Sequence, residues 1–373
     1  MKKDVLGTKD CFGCGLCAAV CPKNVLRLVV NVDGFYEPSV INQDACIHCG
    51  LCHDVCSFNN KGLAQESTSL KAYAGWSKDG TTRRQCTSGG IAFEIGRYLL
   101  SLGYGICGAR YVDVSKRVEH FIATDESELR KTIGSKYMPS YMLDSMKNIN
   151  RHGKYMVVGT PCQIDSIRRY VKKFRCEKNF VLVDFFCHGV PSLHLWNKYC
   201  DESEKKIGHI NEASWRTKTD GWHDSYEMNL KGALGEISSK LSDGDMFLKF
   251  FLHDACLGKQ CYKSCKFKKN NSSADIRIGD FWGKLYKENE DGVNSIVAFT
   301  NAGQLLLEKL SNVELVRLSF EDAADGQMSE NAKEPWFRGL ILSLIKSSLP
   351  MKVAYYVMQA LRWRSIVCAK IKL

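Results

Sequence analysis

Eight of the 18 cysteines lie between residues 11 and 56, in two runs that share the spacing C-x2-C-x2-C-x3-C. Three thiolates of such a run bind one [4Fe–4S] cluster, and the fourth cysteine binds the cluster of the other run. The sequence therefore predicts two [4Fe–4S] clusters. The ligands of the first are Cys11, Cys14, Cys17 and Cys56. The ligands of the second are Cys21, Cys46, Cys49 and Cys52.

Zinc is the main alternative for these cysteines. The first ten residues lack an apolar stretch, so we expect no signal peptide and reduced thiols that bind metal. Zinc usually takes two separated pairs of ligands, and two identical four-cysteine runs fit it poorly. Gly13, Gly15 and Gly50 let the backbone approach the sulfides of a cluster closely. Residues 1–60 are therefore predicted to be a bacterial-type ferredoxin head that transfers single electrons.

Five of the ten remaining cysteines are candidate ligands of a further cluster, and we interpret the other five as reduced core thiols. Two of the five candidates stand at the ends of hydrophobic stretches, residues 155–159 and 180–186, which are typical of buried strands. Ligand sites of α/β sheets lie at such strand ends. We predict a third [4Fe–4S] cluster here, with Cys256 as the reserve ligand, and the alternative is that all five are reduced core thiols. The preferred ligands are Cys162, Cys187, Cys261 and Cys265.

The elements that position these cysteines form an α/β pattern. Strand-like and helical stretches alternate after the polar segment 61–70, which we interpret as a linker. The predicted fold class is α+β or α/β: a ferredoxin head over residues 1–60, an α/β body over 71–335 and a helical tail over 336–373. No window of about 18 apolar residues occurs, so we expect a cytoplasmic protein without a membrane span.

The tail carries much of the net charge of +11, because residues 338–373 contain seven basic side chains and no acidic one. This uneven distribution argues against nucleic-acid binding. A basic amphipathic helix favours peripheral attachment to the anionic inner face of a membrane. The alternative is a helix that packs on the body. The residues expected to insert into lipid are Tyr355, Tyr356, Val357, Leu361 and Trp363.

A phosphate site is one interpretation of residues 87–90, Thr-Ser-Gly-Gly, which precede a stretch with helical spacing. Backbone N–H groups at a helix start can hold a phosphate. The alternative is a simple N-cap by Thr87 or Ser88.

The ordered set of short motifs resembles the beta subunit of the coenzyme F-420 hydrogenase/dehydrogenase family. Besides the ferredoxin head and the paired cysteines, the resemblance includes five segments. They are Thr-Ser-Gly-Gly at 87–90, Gly-Ser-Lys-Tyr at 134–137, Gly-Thr-Pro-Cys-Gln at 159–163, Cys-His-Gly at 187–189 and Gly-Asp-Phe-Trp-Gly at 279–283.

The resemblance implies a flavin, usually FAD, that lies beside iron–sulfur clusters and exchanges electrons with a small organic substrate. Members of the family reduce a deazaflavin, and plant and cyanobacterial relatives reduce a chlorophyll intermediate with ferredoxin. A flavin converts single electrons into a hydride. The body cluster of some relatives matches the four preferred positions. The candidate flavin contacts are Arg83, Thr87, Ser88, Gly89 and Gly90.

The candidate catalytic residues are His188, His223 and Lys136. Histidine titrates near neutral pH and can deliver a proton to a substrate. The alternatives are that His188 only bonds the cluster environment and that the other two are surface residues. We expect an iron–sulfur flavoprotein oxidoreductase with a ferredoxin-like or other low-potential electron donor. The alternative function is an electron-transfer subunit that has no substrate of its own and serves a partner enzyme.

Overall fold

The structure, a computed structural model, describes residues 4–61, 63, 65–66 and 70–371. The elements of the head are α1 (Leu16–Ala19), β1 (Leu26–Val30), β2 (Tyr36–Val40) and α2 (Leu51–Asp54). The two strands pair antiparallel, and Leu26 lies opposite Val40. Each helix begins after a glycine in the left-handed region, Gly15 with φ 74° and Gly50 with φ 77°. The repeated cysteine spacing thus produces the same local backbone twice.

The body begins with a series of alternating strands and helices. In chain order they are β3 (Gln65–Glu66), β4 (Lys71–Ser77), α3 (Gly80–Gln85), α4 (Ile91–Ser101), β5 (Gly105–Val112), β6 (Arg117–Ala123), α5 (Glu126–Arg130), β7 (Ser140–Tyr141), α6 (Leu143–Asn148), β8 (Tyr155–Val158), α7 (Pro161–Lys173), β9 (Phe180–Phe185) and α8 (Leu193–Ile207). The hydrophobic stretches predicted as buried strands are β8 and β9.

The second half of the body adds a small antiparallel sheet and completes the large one. Its elements are β10 (Ile210–Ser214), β11 (Glu227–Gly232), β12 (Gly235–Lys240), α9 (Met246–Leu252), α10 (Lys259–Lys263), β13 (Asn271–Ser272), β14 (Ile276–Asp280), β15 (Asn294–Ala298), α11 (Asn301–Glu308), β16 (Val313–Leu318), α12 (Phe320–Ala324), α13 (Arg338–Lys346) and α14 (Met351–Ile371). Short 3-10 turns occupy Glu177–Asn179 and Lys284–Tyr286.

One mixed sheet of nine strands organises the body, in the order β16-β4-β15-β14-β9-β8-β5-β6-β7. Strands β14, β9, β8 and β5 are mutually parallel, whereas β15 runs antiparallel to β4 and β14. The carboxyl ends of β4, β14, β9, β8 and β5 therefore meet at one edge, which we call the carboxyl edge. The predicted α/β body is confirmed as a mixed sheet with helices.

A buried ion pair fixes the centre of this sheet. The Arg277 guanidinium in β14 donates to both carboxylate oxygens of Asp184 in β9, each at 2.7 Å, and both side chains are almost fully buried. Ser272 Oγ also donates to Asp184, at 2.6 Å. Such a satisfied pair holds its two strands in one register, because either partner alone would be an uncompensated buried charge. The pair thus fixes the strand ends from which Cys187 and Asp280 project.

The last two helices pack into the core of the body. Met351, Ala354 and Met358 of α14 are buried in the cluster that also contains residues of α8, α9 and α13. Arg338 at the start of α13 donates to the Leu257 carbonyl at 2.8 Å. The inner face of α14 therefore packs on the body, as the alternative interpretation of the tail expected. No helix in the described part of the chain is long and apolar enough to cross a membrane.

The head is bound to the body by hydrogen bonds at its last turn. Lys266 Nζ donates to the carbonyl oxygens of Ser57, Phe58 and Asn60, at 2.9, 3.3 and 2.5 Å. Ser57 N in turn donates to Ser166 Oγ in α7, at 3.2 Å. These contacts hold the first cysteine set of the head against the body.

Candidate metal centres and substrate site

The four cysteines predicted to hold the first head cluster line one pocket. We call them the inner set: Cys11, Cys14, Cys17 and Cys56. The Cβ of any residue other than glycine at position 13 would lie 2.7 Å from the Tyr36 carbonyl oxygen, and φ there is +67°. Two backbone amides point at sulfur, Gly13 N at Cys11 Sγ and Asn59 N at Cys56 Sγ, both at 3.4 Å.

The four cysteines predicted for the second head cluster line a separate pocket. We call them the outer set: Cys21, Cys46, Cys49 and Cys52. Cys49 is exposed, and its neighbour Ile47 is exposed by 57%. In the inner set, by contrast, burial raises the pKa of the Cys11 thiol to about 12 and that of Cys56 to about 11. The outer set is therefore the one closer to solvent.

The geometry of both cavities fits a cluster better than a single ion. Among the described residues, no three His, Cys, Asp or Glu side chains converge closely enough to hold one metal ion. A zinc ion would need its thiolates about 2.3 Å from one point, whereas a cubane of four irons spreads its four ligands over a larger volume. The Ser57 hydroxyl is buried in the wall of the inner cavity, and within the described chain it has no hydrogen-bond partner. A cluster sulfide would supply its acceptor.

The body brings together the four cysteines preferred for the third cluster, here called the body set: Cys162, Cys187, Cys261 and Cys265. Cys162 is the second residue of α7, and Cys187 follows β9 by two residues. Burial raises the pKa of the Cys162 thiol, and the three other thiols of the set raise it further. Burial likewise raises the pKa of Cys187 to about 11 and that of Cys261 to about 12.

The reserve ligand Cys256 lies elsewhere. Its side chain is fully buried in the core cluster of α8 and α13. Burial raises the pKa of this thiol to about 12, and the charged groups that act on it are Arg338 and Asp254 rather than a thiol of the body set. The structure therefore favours the four preferred residues and leaves Cys256 as a core thiol.

Helix α7 carries one member of the body set and contacts the inner set. Ser166 lies in α7 one turn after Cys162, and its Oγ is 3.5 Å from Cys14 Sγ. Phe12, beside Cys11, packs edge-on against Phe267, with ring centroids 6.0 Å apart. The inner set thus lies against the body, next to the segment that carries Cys265.

A row of aromatic rings continues from the body set along the carboxyl edge. The His188 ring lies 4.8 Å from that of Phe251, which stacks on Tyr137 at 4.8 Å. Tyr137 stacks on Tyr226 at 6.1 Å, and Tyr226 stacks on Trp282 at 6.0 Å. The row connects the strand end of β9 with the strand end of β14.

A buried cation lies against this row. The Arg216 guanidinium is 4.3 Å from the ring centroid of Tyr226 and donates to Asp280 Oδ2 at 2.9 Å. Trp222 Nε1 donates to the other oxygen of Asp280, at 3.0 Å. Arg216 and Asp280 were not among the predicted site residues, although Asp280 lies in the Gly-Asp-Phe-Trp-Gly motif at 279–283. The available signal was the position of Asp280 at the end of a strand, like the two strand-end cysteines.

The three candidate catalytic residues have different environments. His188 is beside the body set, with Nε2 2.8 Å from Asp254 Oδ1 in an orientation outside hydrogen-bond geometry. His223 is exposed, and its Nδ1 lies 3.2 Å from Glu290 Oε1. Lys136 is not a solvated surface charge. Burial lowers its pKa to about 7, and its Nζ donates to the carbonyl oxygens of residues 132, 133 and 134 at 2.8, 2.8 and 3.0 Å.

The candidate phosphate contacts at the start of α4 already have partners within the protein. Ser88 Oγ donates to the Val293 carbonyl at 2.6 Å, and Thr87 Oγ1 accepts from Ser135 N at 2.9 Å. A Cβ at Gly89 would lie 2.4 Å from the Gly75 carbonyl oxygen. These contacts explain the residue types without a bound phosphate.

The two remaining candidates of this group have structural contacts as well. Gly90 is the N-cap residue of α4, with φ 88°. Arg83 Nε donates to the Gly292 carbonyl at 2.8 Å, and its guanidinium lies 5.0 Å from the Trp76 ring centroid. The assignment of this group to a flavin phosphate stays a prediction.

Three protein-family profiles match the head and most of the body of the chain. The profile of the 4Fe-4S dicluster domain matches residues 10–60. The profiles of the coenzyme F420 hydrogenase/dehydrogenase beta subunit match residues 72–147 with the N-terminal part and residues 152–323 with the C-terminal part.

Two further comparisons concern whole chains. No curated protein matches this sequence. A solved structure of the xenon-derivatised F420-reducing [NiFe] hydrogenase complex from Methanosarcina barkeri contains a chain with 16% identity and a TM-score of 0.48, and the match covers 81% of this chain and 94% of that one.

Proposed function

Because the chain belongs to the coenzyme F420 hydrogenase/dehydrogenase beta-subunit family and carries a 4Fe-4S dicluster domain, we propose that it is a flavin-dependent oxidoreductase. It would pass electrons between a ferredoxin-type or other low-potential donor and a small organic substrate. Clusters supply one-electron transfer when they are bound, and a flavin converts single electrons into pairs. The residues of this chain would bind the clusters and the flavin and fix their positions relative to one another.

The observation that carries the proposal is the alignment of the three cysteine sets. The outer set has an exposed member, Cys49, where a donor protein can approach. The inner set lies behind it and contacts α7 through Ser166. The body set includes Cys162, one turn earlier on the same helix, and Cys187, which follows β9 at the carboxyl edge of the sheet. A pure electron carrier would need the head alone, so the body set implies a second partner at this edge.

The chemistry of the residues at the carboxyl edge supports a flavin and a substrate there. Flat rings at Tyr137, Tyr226 and Trp282 are suited to contact a flavin ring, and the Arg216 guanidinium is suited to an anionic group. The edge is also where ligands of α/β sheets bind. His188, next to the body set, is the proton donor that this placement favours over the exposed His223.

Anaerobic iron analysis tests the body set. The head alone should bind about eight irons per chain, and the full protein about twelve. We expect the Cys261→Ala, Cys265→Ala variant to bind about four irons fewer than the wild type. The matched control is Cys256→Ala, which removes a buried thiol nearby and should keep all iron. If the double variant keeps its iron, or if the control loses about four, the proposed body set is wrong.

The alternative, an electron-transfer subunit that serves a partner enzyme, is supported by the family's description as a beta subunit. The discriminating assay uses purified, flavin-loaded protein, a low-potential donor and an organic acceptor such as a deazaflavin. Turnover in the absence of any other protein supports an enzyme with its own substrate. Bound flavin and reducible clusters without turnover support the electron-transfer subunit.

A further inference from the structure

The last helix, α14, has two faces of different character. Its inner stripe, Met351, Ala354 and Met358, is buried in the body. Positions 352, 356, 359, 360 and 363 follow one another at helical spacing on the opposite side, and all are exposed. The second face contains two large aromatic residues, Tyr356 and Trp363, which lie two turns apart.

Three aromatic side chains are unusually exposed in this region. Trp336 is exposed by 66%, Tyr356 by 67% and Trp363 by 70%. Trp336 Nε1 donates to Ser365 Oγ at 3.1 Å, which holds the tryptophan beside the second half of α14. Single exposed apolar residues are normal on a protein surface, but several large ones on one face mark an interaction site. We call these three residues the outer aromatic face.

The charged residues of α13 and α14 have one sign. Two acidic residues nearby have partners of their own: Glu334 lies 2.7 Å from Lys263 Nζ, and Glu202 accepts from Met351 N at 2.6 Å. Lys346, Lys352 and Arg364 are exposed, and the sequence contains no acidic residue from position 338 to the C-terminus. Arg338 does not belong to the patch, because it is buried and lies 3.3 Å from Asp33. A protein partner would need an acidic surface with aromatic pockets. An anionic bilayer offers both negative headgroups and the interfacial zone that tryptophan and tyrosine prefer.

We propose that the outer aromatic face and the exposed basic residues of α13 and α14 bind the surface of an anionic lipid bilayer. Tyr356 and Trp363 contact the headgroup region, and Lys352 and Arg364 neutralise lipid charge. Tyr355, Val357 and Leu361, which the sequence suggested as insertion residues, instead pack against the core cluster of the body. The binding surface is therefore one face of a helix whose other face stabilises the protein.

Sedimentation of the full-length protein with vesicles tests the proposal. Vesicles of phosphatidylglycerol and phosphatidylcholine should bind the wild type at low salt, whereas pure phosphatidylcholine vesicles should bind much less. Lys352→Gln, Arg364→Gln should weaken binding about 30-fold, because each basic residue near the surface contributes about fivefold. Tyr356→Gln, Trp363→Gln should also reduce the bound fraction. High salt should weaken binding of the wild type.

The matched control is Lys284→Gln, Lys287→Gln, which removes the same charge from an exposed turn elsewhere on the body. It should bind vesicles as the wild type does, and all variants should keep their iron content. If the control weakens binding as much as the tail variant, the attraction is a general effect of net charge and the proposal fails. A wild type that stays in the supernatant with anionic vesicles at low salt also overturns it and favours a protein partner for this face.

Discussion

The substitution Ser166→Ala should lower the reduction potential of the cluster bound by the inner set. Ser166 is fully buried in α7, and its Oγ accepts a hydrogen bond from Ser57 N at 3.2 Å. The Cys14 thiol donates to Ser166 Oγ at 3.5 Å, and a cluster-bound Cys14 thiolate would instead accept the hydroxyl proton. Burial raises the pKa of the Cys14 thiol, and the Ser166 hydroxyl opposes this effect, so the hydroxyl stabilises negative charge on the sulfur.

The size of this change in reduction potential follows from the negative charge on sulfur that the Ser166 hydroxyl stabilises. A hydrogen bond to a charged group contributes about 1.5–3 kcal/mol. Reduction adds one electron that is spread over the whole cluster, so we assign about a third of this energy to the difference between the redox states. A difference of about 0.5–1 kcal/mol corresponds to about 20–40 mV for a one-electron step. Hydrogen bonds to sulfur are an established means of tuning cluster potentials.

An anaerobic redox titration followed by electron paramagnetic resonance measures this shift. One head cluster should move to a lower potential by about 20–40 mV, and the other signals should stay in place. Ser145→Ala is the matched control, since Ser145 is also a buried serine but donates to the Met142 carbonyl at 2.8 Å. An unchanged potential in Ser166→Ala with full iron content, or an equal shift in the control, would refute the reasoning.

Three further outcomes are expected. Gly89→Val should lower the melting temperature even without flavin, because its Cβ would clash with the Gly75 carbonyl oxygen. Burial lowers the pKa of Lys136 to about 7 in the folded protein, from about 10.5 in the unfolded chain. As pH rises between these two values, the melting temperature of the wild type should therefore rise relative to that of Lys136→Met. Lys266→Met should speed proteolysis in the segment 61–70, because it removes three bonds between head and body. An unchanged melting temperature in Gly89→Val would contradict the first expectation. A stability difference between Lys136→Met and the wild type that does not depend on pH would contradict the second, and an unchanged cleavage rate in Lys266→Met the third.

The 4Fe-4S domain of the head could be predicted from the sequence because its ligands stand in two short runs. A spacing of two or three residues restricts the backbone so strongly that the chemistry follows from the sequence pattern. The four preferred body cysteines were chosen by a weaker argument, two strand ends and a close pair, and the structure brings them together. Cys256 shows the limit, because sequence distance alone does not separate it from the proposed ligand Cys261, five residues away, whereas the core packing of Cys256 does.

The carboxyl edge could be predicted only in part. Arg216 and Asp280 are 64 residues apart, and their contact depends on how the small sheet packs beside β14. The number of basic residues in the tail overstates its exposed charge for the same reason, because it includes Arg338, which is buried near Asp33 of the head. Tyr355 and Tyr356 are neighbours on α14, and helical periodicity alone does not tell which of them faces the body. The packing of α14 turns Tyr355 toward the core cluster and leaves Tyr356 exposed.

The contacts between head and body have a consequence for how electrons reach the carboxyl edge. Asp165, next to Ser166 in α7, accepts from Leu63 N at 3.2 Å and from Ser273 Oγ at 2.5 Å, so one helix binds both the linker and the body. Because Lys266 adds three bonds to the last turn of the head, the inner set cannot leave the body without breaking several hydrogen bonds. This arrangement favours electron transfer across a fixed contact over transfer by a moving head. The fixed contact is α7, which contributes Cys162 to the body set and whose Ser166 contacts Cys14 of the inner set.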